Sequence, residues 1–437
     1  MTSRRNPSRR HLLASLGAGF GVLPFAPGLL GPAMAATAER KRLIVIMCEG
    51  GWDVSYCMDP KIGLDTCDGP EHDEDPEDPE DREAIQTFGN IQMAVNDVKR
   101  PSVRSFMEGY GSRMAVVNGI WVGAIAHATS RIRMLNGTPL QRDPSYAAIV
   151  GASHGVDLPL GSLDLSGGSY VGNLAASAGQ LGAQSQLKAL VNDASEFPPI
   201  DGWEGRPSFR PDASDREALF AHLQARNDAV LQRDVDPERL RIFQDRAEAM
   251  TRAHRFRDNG VDAVSELQLG VAPTFGEQLE LAVKLLKGDL CSAVTVDSGK
   301  NWDSHRLNND QHAYYETLFG GLGQLAKNLD EEDMWDSTLV VVISEMTRTP
   351  HRNAAEGKDH WPHTAALMLG RGVVGGETFG GTDGRVESLA VDYATGVPDP
   401  KGELNKYDNF AAGVLASLDV DPELYYPGVE PFLAWHV

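Results

Sequence analysis

The apolar run Leu339-Val-Val-Val-Ile343 ends in Ser344-Glu-Met-Thr-Arg-Thr-Pro-His-Arg352, and Gly357-Lys-Asp-His-Trp-Pro-His-Thr364 follows closely. Ionisable groups poured from the carboxyl end of a buried strand lie where open α/β sheets keep their sites. Three more polar clusters follow apolar runs: Glu49-Gly-Gly-Trp-Asp53, His127-Ala-Thr-Ser-Arg131 and Asn301-Trp-Asp-Ser-His305. Taken singly, each could be a surface turn. Together they supply carboxylates and imidazoles suited to a divalent metal such as zinc, manganese or calcium, and arginines suited to an oxyanion. The helix expected to open at His127 adds backbone amides that favour an anion.

The elements that must position these groups are short, β-rich and continuously apolar. They are Leu43 to Met47, Met114 to Val117, Ala293 to Val296, Leu339 to Ile343 and Ala365 to Leu369. Continuous apolar runs describe strands covered on both faces, as in a parallel sheet. Helical stretches alternate with them: Val103 to Gly109, Ser130 to Leu135, Gly276 to Leu286, His312 to Asn328 and Phe410 to Leu418. The order predicts a doubly wound, mostly parallel α/β sheet sandwiched by helices. If the strands are parallel, the four polar clusters share one rim.

Two insertions interrupt this pattern. Residues 65–83 contain Glu71-His-Asp-Glu-Asp-Pro-Glu-Asp-Pro-Glu-Asp-Arg-Glu83, whose charges repel and whose prolines oppose regular structure. A solvated loop is expected there rather than a calcium site, because EF-hand spacing and its central glycine are missing. Residues from about 202 to 260 read as amphipathic helices forming a cap over one end of the sheet, with Ser214 as an N-cap.

The first 35 residues stand apart from the core. Ser8-Arg-Arg-His-Leu-Leu13 opens a glycine-rich apolar stretch ending at Ala33-Met-Ala35, the pattern of a twin-arginine export signal cut after Ala35. The expectation is a single domain over 36–437, passed by the twin-arginine machinery to the periplasm or outside, with no membrane span in the mature protein. Cutting removes Arg4, Arg5, Arg9 and Arg10 and no acid, so the net charge moves from -22 to -26. Nucleic acid is thereby an unsuitable partner. Four cysteines, Cys48, Cys57, Cys67 and Cys291, permit two disulfides in an oxidising compartment, with Cys57 and Cys67 the favoured pair.

Ser130-Arg-Ile-Arg-Met-Leu-Asn-Gly137 resembles the sulfatase signature, with His127 at the position of the modified cysteine and Thr129 at that of the proline. Leu339 to Glu345 resembles a late strand of the alkaline phosphatase superfamily, keeping the acid of its metal-binding Asp-His pair and placing Met346 at the histidine. Most of the mature chain is similar to a bacterial exported family, domain of unknown function 1501. The similarity lies in Gly50-Gly51 with Asp59-Pro-Lys61, Trp302-Asp-Ser-His305, Ser344-Glu-Met-Thr-Arg-Thr-Pro350 and Gly357-Lys-Asp-His-Trp-Pro362. Met346-Thr347 replaces the family's Phe-Gly. The resemblance implies a sulfatase-like fold and no established reaction.

Hydrolysis of a phosphate or sulfate ester needs a nucleophile, a cation for the nonbridging oxygens and a metal or acid for the leaving group. Candidate ligands are Glu49, Asp53, Asp303, His305, Glu345, Asp359, His360 and His363, with Arg131 and Arg348 facing the oxyanion. His127, or the hydroxyl of Thr129 or Ser130, is the candidate nucleophile, His127 being preferred because Ser130 matches a sulfatase position that does not attack. The competing reading is a catalytically degenerate relative that binds an anionic ligand such as a glycan, or serves as a scaffold. A third has Glu345 and Arg348 as a buried ion pair. His351 matches no motif and reads as a surface residue.

Overall fold

Alternating apolar residues of each expected strand do pack against two opposite helical layers. The computed structural model describes residues 40–180, 212–233, 236–259 and 273–437. The expected export signal therefore lies outside the described residues, as does part of the expected cap. Residues Arg40–Val437 form one compact unit.

In chain order the strands are β1 (Arg42–Met47), β2 (Ala84–Phe88), β3 (Ile91–Val95), β4 (Met114–Trp121), β5 (Ser162–Asp164) and β6 (Ala178–Gln180). They continue with β7 (Ala293–Asp297), β8 (Thr338–Ile343), β9 (Thr347–Arg348), β10 (His360–Trp361), β11 (His363–Gly370), β12 (Glu377–Gly380), β13 (Ala390–Val391) and β14 (Glu403–Leu404). The helices are α1 (Pro101–Tyr110), α2 (His127–Asn136), α3 (Tyr146–His154), α4 (Ala213–Leu231), α5 (Pro237–Asn259), α6 (Phe275–Lys287), α7 (Asp310–Glu331) and α8 (Tyr407–Ser417). Eight strands form one sheet in the order β12-β4-β11-β8-β1-β7-β5-β6.

All its pairings are parallel except those of β11, which runs antiparallel to both β4 and β8. The sheet is thus mixed and mostly parallel, flanked by helices. The apolar run Ala365 to Leu369 reported burial on both faces correctly, but it did not report direction, because β11 is central and covered above and below. Its reversal has a consequence. The start of β11 meets the ends of β4 and β8, so the segment before it reaches the same rim.

Ile44, Ile46, Val294, Val296, Val340 and Val342 face α1, α6 and α7, while Leu43, Val45, Leu339 and Val341 face α2, α3 and α8. Local signals start several helices: Thr274 and Glu277 form a reciprocal capping box at α6, Ser145 accepts from the Ala148 amide at α3, and Asp212, rather than the expected Ser214, caps α4 in a reciprocal box with Asp215. Among the described residues no helix is long and apolar enough to cross a membrane. Arg252 of α5 donates to the carbonyls of Gly155 and Leu158, both at 2.9 Å, which docks this helix beside the turn entering β5.

The acidic segment departs from the solvated loop expected of it. Glu77 and Glu80 do face water, but Asp81 is 2% exposed and bonds Lys99 at 2.7 Å and Asn96 at 2.6 Å. Asp73 accepts from Tyr56 and Arg352, both at 2.7 Å, and Glu83 pairs with Arg100, both side chains fully buried. Cations distant in sequence neutralise the inward acids, which local charge counting does not register. The four cysteines are free and buried, so the expected Cys57 and Cys67 pair is not formed. Burial pushes their thiols up to about 12 and about 11.

Arg100→Met strands the Glu83 carboxylate in the interior, a change that costs about 3–5 kcal/mol when a buried pair loses one partner. Urea unfolding of the variant should show a loss of that size. A loss below about 1 kcal/mol would mean that the acidic segment is not held by this pair.

Candidate functional site

The turn after β1 sets the site's floor. Gly50 and Gly51 have φ of +120° and +89°, which side chains rarely tolerate, and a Cβ on Gly50 would lie 2.5 Å from the Asp303 nitrogen. This close approach brings the loop after β7 against the end of β1. Arg348 then fastens the layers. Its buried guanidinium donates to Gly51 O at 2.7 Å, to Trp302 O at 3.0 Å, to Lys358 O at 3.2 Å, to Gly50 O, and to Asp303 Oδ1 at 2.8 Å.

Above that floor three imidazoles meet one carboxylate oxygen. Asp303 Oδ1 lies 3.2 Å from His305 Nε2, 3.2 Å from His360 Nε2 and 3.5 Å from His127 Nε2. His305 Nε2 and His360 Nε2 are 2.9 Å apart. The donor atoms of His127, Asp303 and His360 all fall within 4.8 Å of one another. These side chains come from the start of α2, the loop after β7 and β10, and they meet only because β4, β7 and β8 end at one rim where β11 begins.

Each ring's other nitrogen faces an acceptor. His360 Nδ1 lies 2.7 Å from Ile125 O, a carbonyl that can only accept, so that nitrogen carries the proton. His127 Nδ1 lies 2.7 Å from Glu345 Oε1, and His305 Nδ1 lies 2.9 Å from Asp359 Oδ1. Glu345 is fully buried and also accepts from the Gly50 amide at 2.9 Å. A neutral imidazole held this way turns its Nε2 lone pair toward the centre, the arrangement by which outer carboxylates and carbonyls orient metal-binding histidines.

The electrostatics follow. The bond to Glu345 raises His127 above the usual histidine range, aided by the Glu345 and Asp303 charges and opposed by burial. Burial lowers His360, outweighing its bond to Asp303. Burial alone would raise Asp303, but the Arg348 guanidinium and the neighbouring imidazoles bring it below the usual carboxylate range. The side chains of His127, Asp303, His305 and His360 are 33%, 30%, 41% and 20% exposed, so the cluster opens to solvent.

The other expected site residues occupy different places. Asp53 lies in a separate buried pair with Lys358 at 2.7 Å, and Glu49 pairs with Arg131 at 3.0 Å. His363 turns to the 388 loop, its Nδ1 2.6 Å from Ser388 Oγ and 3.2 Å from the Ser388 amide, because neighbouring residues of a strand point to opposite sides and His360 and His363 are separated by the Pro362 corner. Ser130 is fully buried, its hydroxyl included, whereas Thr129 is exposed. Arg348 spends its nitrogens on backbone carbonyls and Asp303 rather than facing outward, and it does not pair with Glu345. His351 is a surface residue beside Asp68 at 3.4 Å. Sequence reasoning missed the Ile125 carbonyl and Lys358, and no residue-type signal marks a backbone acceptor.

Burial lowers the pKa of His363 to about 4, with Asp383 acting weakly the other way. A depressed folded-state value means that the neutral ring's contribution is complete above the ordinary value near 6.5 and disappears as pH falls toward 4. Urea unfolding at several pH values across that window should show His363→Gln losing stability less steeply than the wild type. Parallel slopes would show that this ring is not held neutral by the fold.

Solved structures provide comparisons at low similarity. A lipoteichoic acid synthase from Listeria monocytogenes is 10% identical, with 90% of this chain and 75% of that chain covered at a TM-score of 0.37. An alkaline phosphatase superfamily protein from Vibrio parahaemolyticus is 10% identical, covering 90% and 71% at 0.39. A sulfatase from Pseudoalteromonas sp. is also 10% identical, covering 91% and 72% at 0.39. Comparison with curated proteins finds no match. A family profile matches residues 40–427, and the chain belongs to that family, described as protein of unknown function (DUF1501).

Proposed function

We propose that the strand-end cluster holds one divalent transition metal and that the protein uses it to hydrolyse an anionic phosphate or sulfate ester outside the cytoplasm. The observation that carries this reading is the set of separations among four potential donors: Asp303 Oδ1 lies 3.2, 3.2 and 3.5 Å from the Nε2 atoms of His305, His360 and His127, and His305 Nε2 lies 2.9 Å from His360 Nε2. Tetrahedral ligands at roughly 2.0–2.1 Å from zinc stand about 3.3 Å apart. Three lone pairs directed at a carboxylate repel one another unless a cation or proton lies among them.

His127, Asp303 and His360 would hold the ion, with His305 beside them. Glu345, Ile125 O and Asp359 fix the rings, and Arg348 offsets the Asp303 charge from behind. Nitrogen donors favour zinc over manganese and disfavour calcium, which takes oxygen ligands. A bound metal of this kind supplies Lewis acidity to a phosphoryl or sulfuryl oxygen. His127 serves better as ligand than as nucleophile, since its Nε2 joins the donor set. Thr129, exposed in the first turn of α2, is the hydroxyl that remains available, and Arg131 brings a guanidinium to the same helix turn.

A second reading is favoured by His305. If it completes the coordination, the site has four protein ligands and no open position, the pattern of a non-catalytic metal site. The protein would then bind an anionic ligand or serve as a scaffold.

Metal analysis of the purified protein, with aryl phosphate and aryl sulfate esters as substrates, separates these readings. About one zinc per chain, absent in His360→Ala, together with ester hydrolysis lost in the same variant, supports the hydrolase. Stoichiometric zinc without hydrolysis of either ester supports the closed site. Metal-free protein unaffected by the substitution rejects both.

A further inference from the structure

Asp53 belongs by sequence to a strand-end cluster, yet it touches none of the three converging imidazoles. It is 1% exposed, and four donors saturate its carboxylate. Oδ1 accepts from the Ser55 amide at 3.1 Å and the Ser55 hydroxyl at 2.6 Å, and Oδ2 accepts from Asn308 Nδ2 at 2.8 Å and Lys358 Nζ at 2.7 Å. The Asp53 amide donates to Gln311 Oε1 at 3.0 Å, and its carbonyl accepts from Tyr315 at 3.0 Å. Lys358 is wholly buried, with Nζ 5.6 Å from the Tyr56 ring centre.

The partners matter because of what adjoins them. Lys358 immediately precedes Asp359 and His360, and its amide donates to Ser304 O at 3.0 Å. Asn308 accepts from Ser304 Oγ at 2.7 Å, and Gln311 donates to Ser304 Oγ and Trp302 O, both at 3.0 Å. Ser304 separates Asp303 from His305. A single carboxylate thus ties the segment bearing His360 to the segment bearing Asp303 and His305, and both to the turn after β1.

We infer that Asp53 is a positioning residue that registers these two segments and so sets the spacing of the imidazoles. The inference rests on the metal-site reading above. An anion is required at this position, because only a carboxylate both neutralises the buried Lys358 ammonium and accepts from neutral donors alongside it. An amide of the same shape strands that charge and reverses one of the acceptors. Displacement of the segments by a few tenths of an ångström suffices to spoil a coordination site.

Calorimetric titration with Zn²⁺ tests this, using the wild type, Asp53→Asn, Asn308→Ala and His360→Ala, with circular dichroism to verify folding. Loss of an orienting group beyond the ligands typically weakens metal binding about 10–100-fold. Asp53→Asn should fall in that range, Asn308→Ala should weaken binding less, and the visible spectrum of bound Co²⁺ should change in Asp53→Asn. If Asp53→Asn does not fold, D53N/K358M removes the stranded ammonium and carries the test by the same criterion. Folded variants that bind Zn²⁺ within twofold of the wild type, with an unchanged Co²⁺ spectrum and only a lower melting temperature, overturn the inference by assigning Asp53 to stability alone. Wild-type protein that takes up no Zn²⁺, or His360→Ala that binds as the wild type does, instead rejects the metal site and this inference with it.

Discussion

The buried guanidinium of Arg348 is the interaction on which the rim depends. It leaves a two-stranded ribbon formed with β10, reaches under the turn after β1 and gathers carbonyls from three separate segments. A guanidinium suits this task because its planar fork presents five donors in fixed directions and remains charged when buried. Its last bond goes to Asp303 Oδ1 at 2.8 Å, so the carboxylate at the centre of the imidazoles is held from below. The two positive-φ glycines are the counterpart of this bond. Any side chain at Gly50 would push the Asp303 backbone away and leave the guanidinium without its target.

What rests on that floor is an electrostatic problem with a chemical solution. Three rings donate through Nδ1 to Glu345, Ile125 and Asp359, which fixes their tautomers and concentrates lone pairs around one anionic oxygen. Positive charge must compensate this, and Arg348 reaches the oxygen from one side only. His127, raised by Glu345, can meet the need with a proton, and a divalent cation meets it better because it satisfies several lone pairs at once. The charge deficit therefore lies on the side of Asp303 Oδ1 away from Arg348, among side chains that are 20–41% exposed.

The strands were legible because their runs are apolar without interruption, and the four clusters were legible because each follows such a run. Direction was not. The Ala365 to Leu369 run looks the same whether parallel or antiparallel, since a central strand is buried on both faces either way. Among the candidate residues, Asp303, His305, His360 and His127 were recognisable by type, whereas their division of labour was not. Glu345 and Asp359 are carboxylates that orient rings, Asp53 is satisfied by a lysine that residue counting treats as surface, and Arg348 faces inward. The acidic segment misled for a related reason: its neutralising partners, Arg100, Lys99 and Arg352, join it only through the fold. Pairing across long sequence separations is the information that periodicity and composition lack.

The central claim is that one metal ion sits among these side chains. Crystals of the protein equilibrated with Zn²⁺ and measured on both sides of the zinc absorption edge test it most directly. The account predicts a single strong anomalous peak about 2.0–2.1 Å from His127 Nε2, His360 Nε2 and Asp303 Oδ1. Full occupancy elsewhere, for example on the acidic segment, or an empty rim at saturating Zn²⁺, would contradict it.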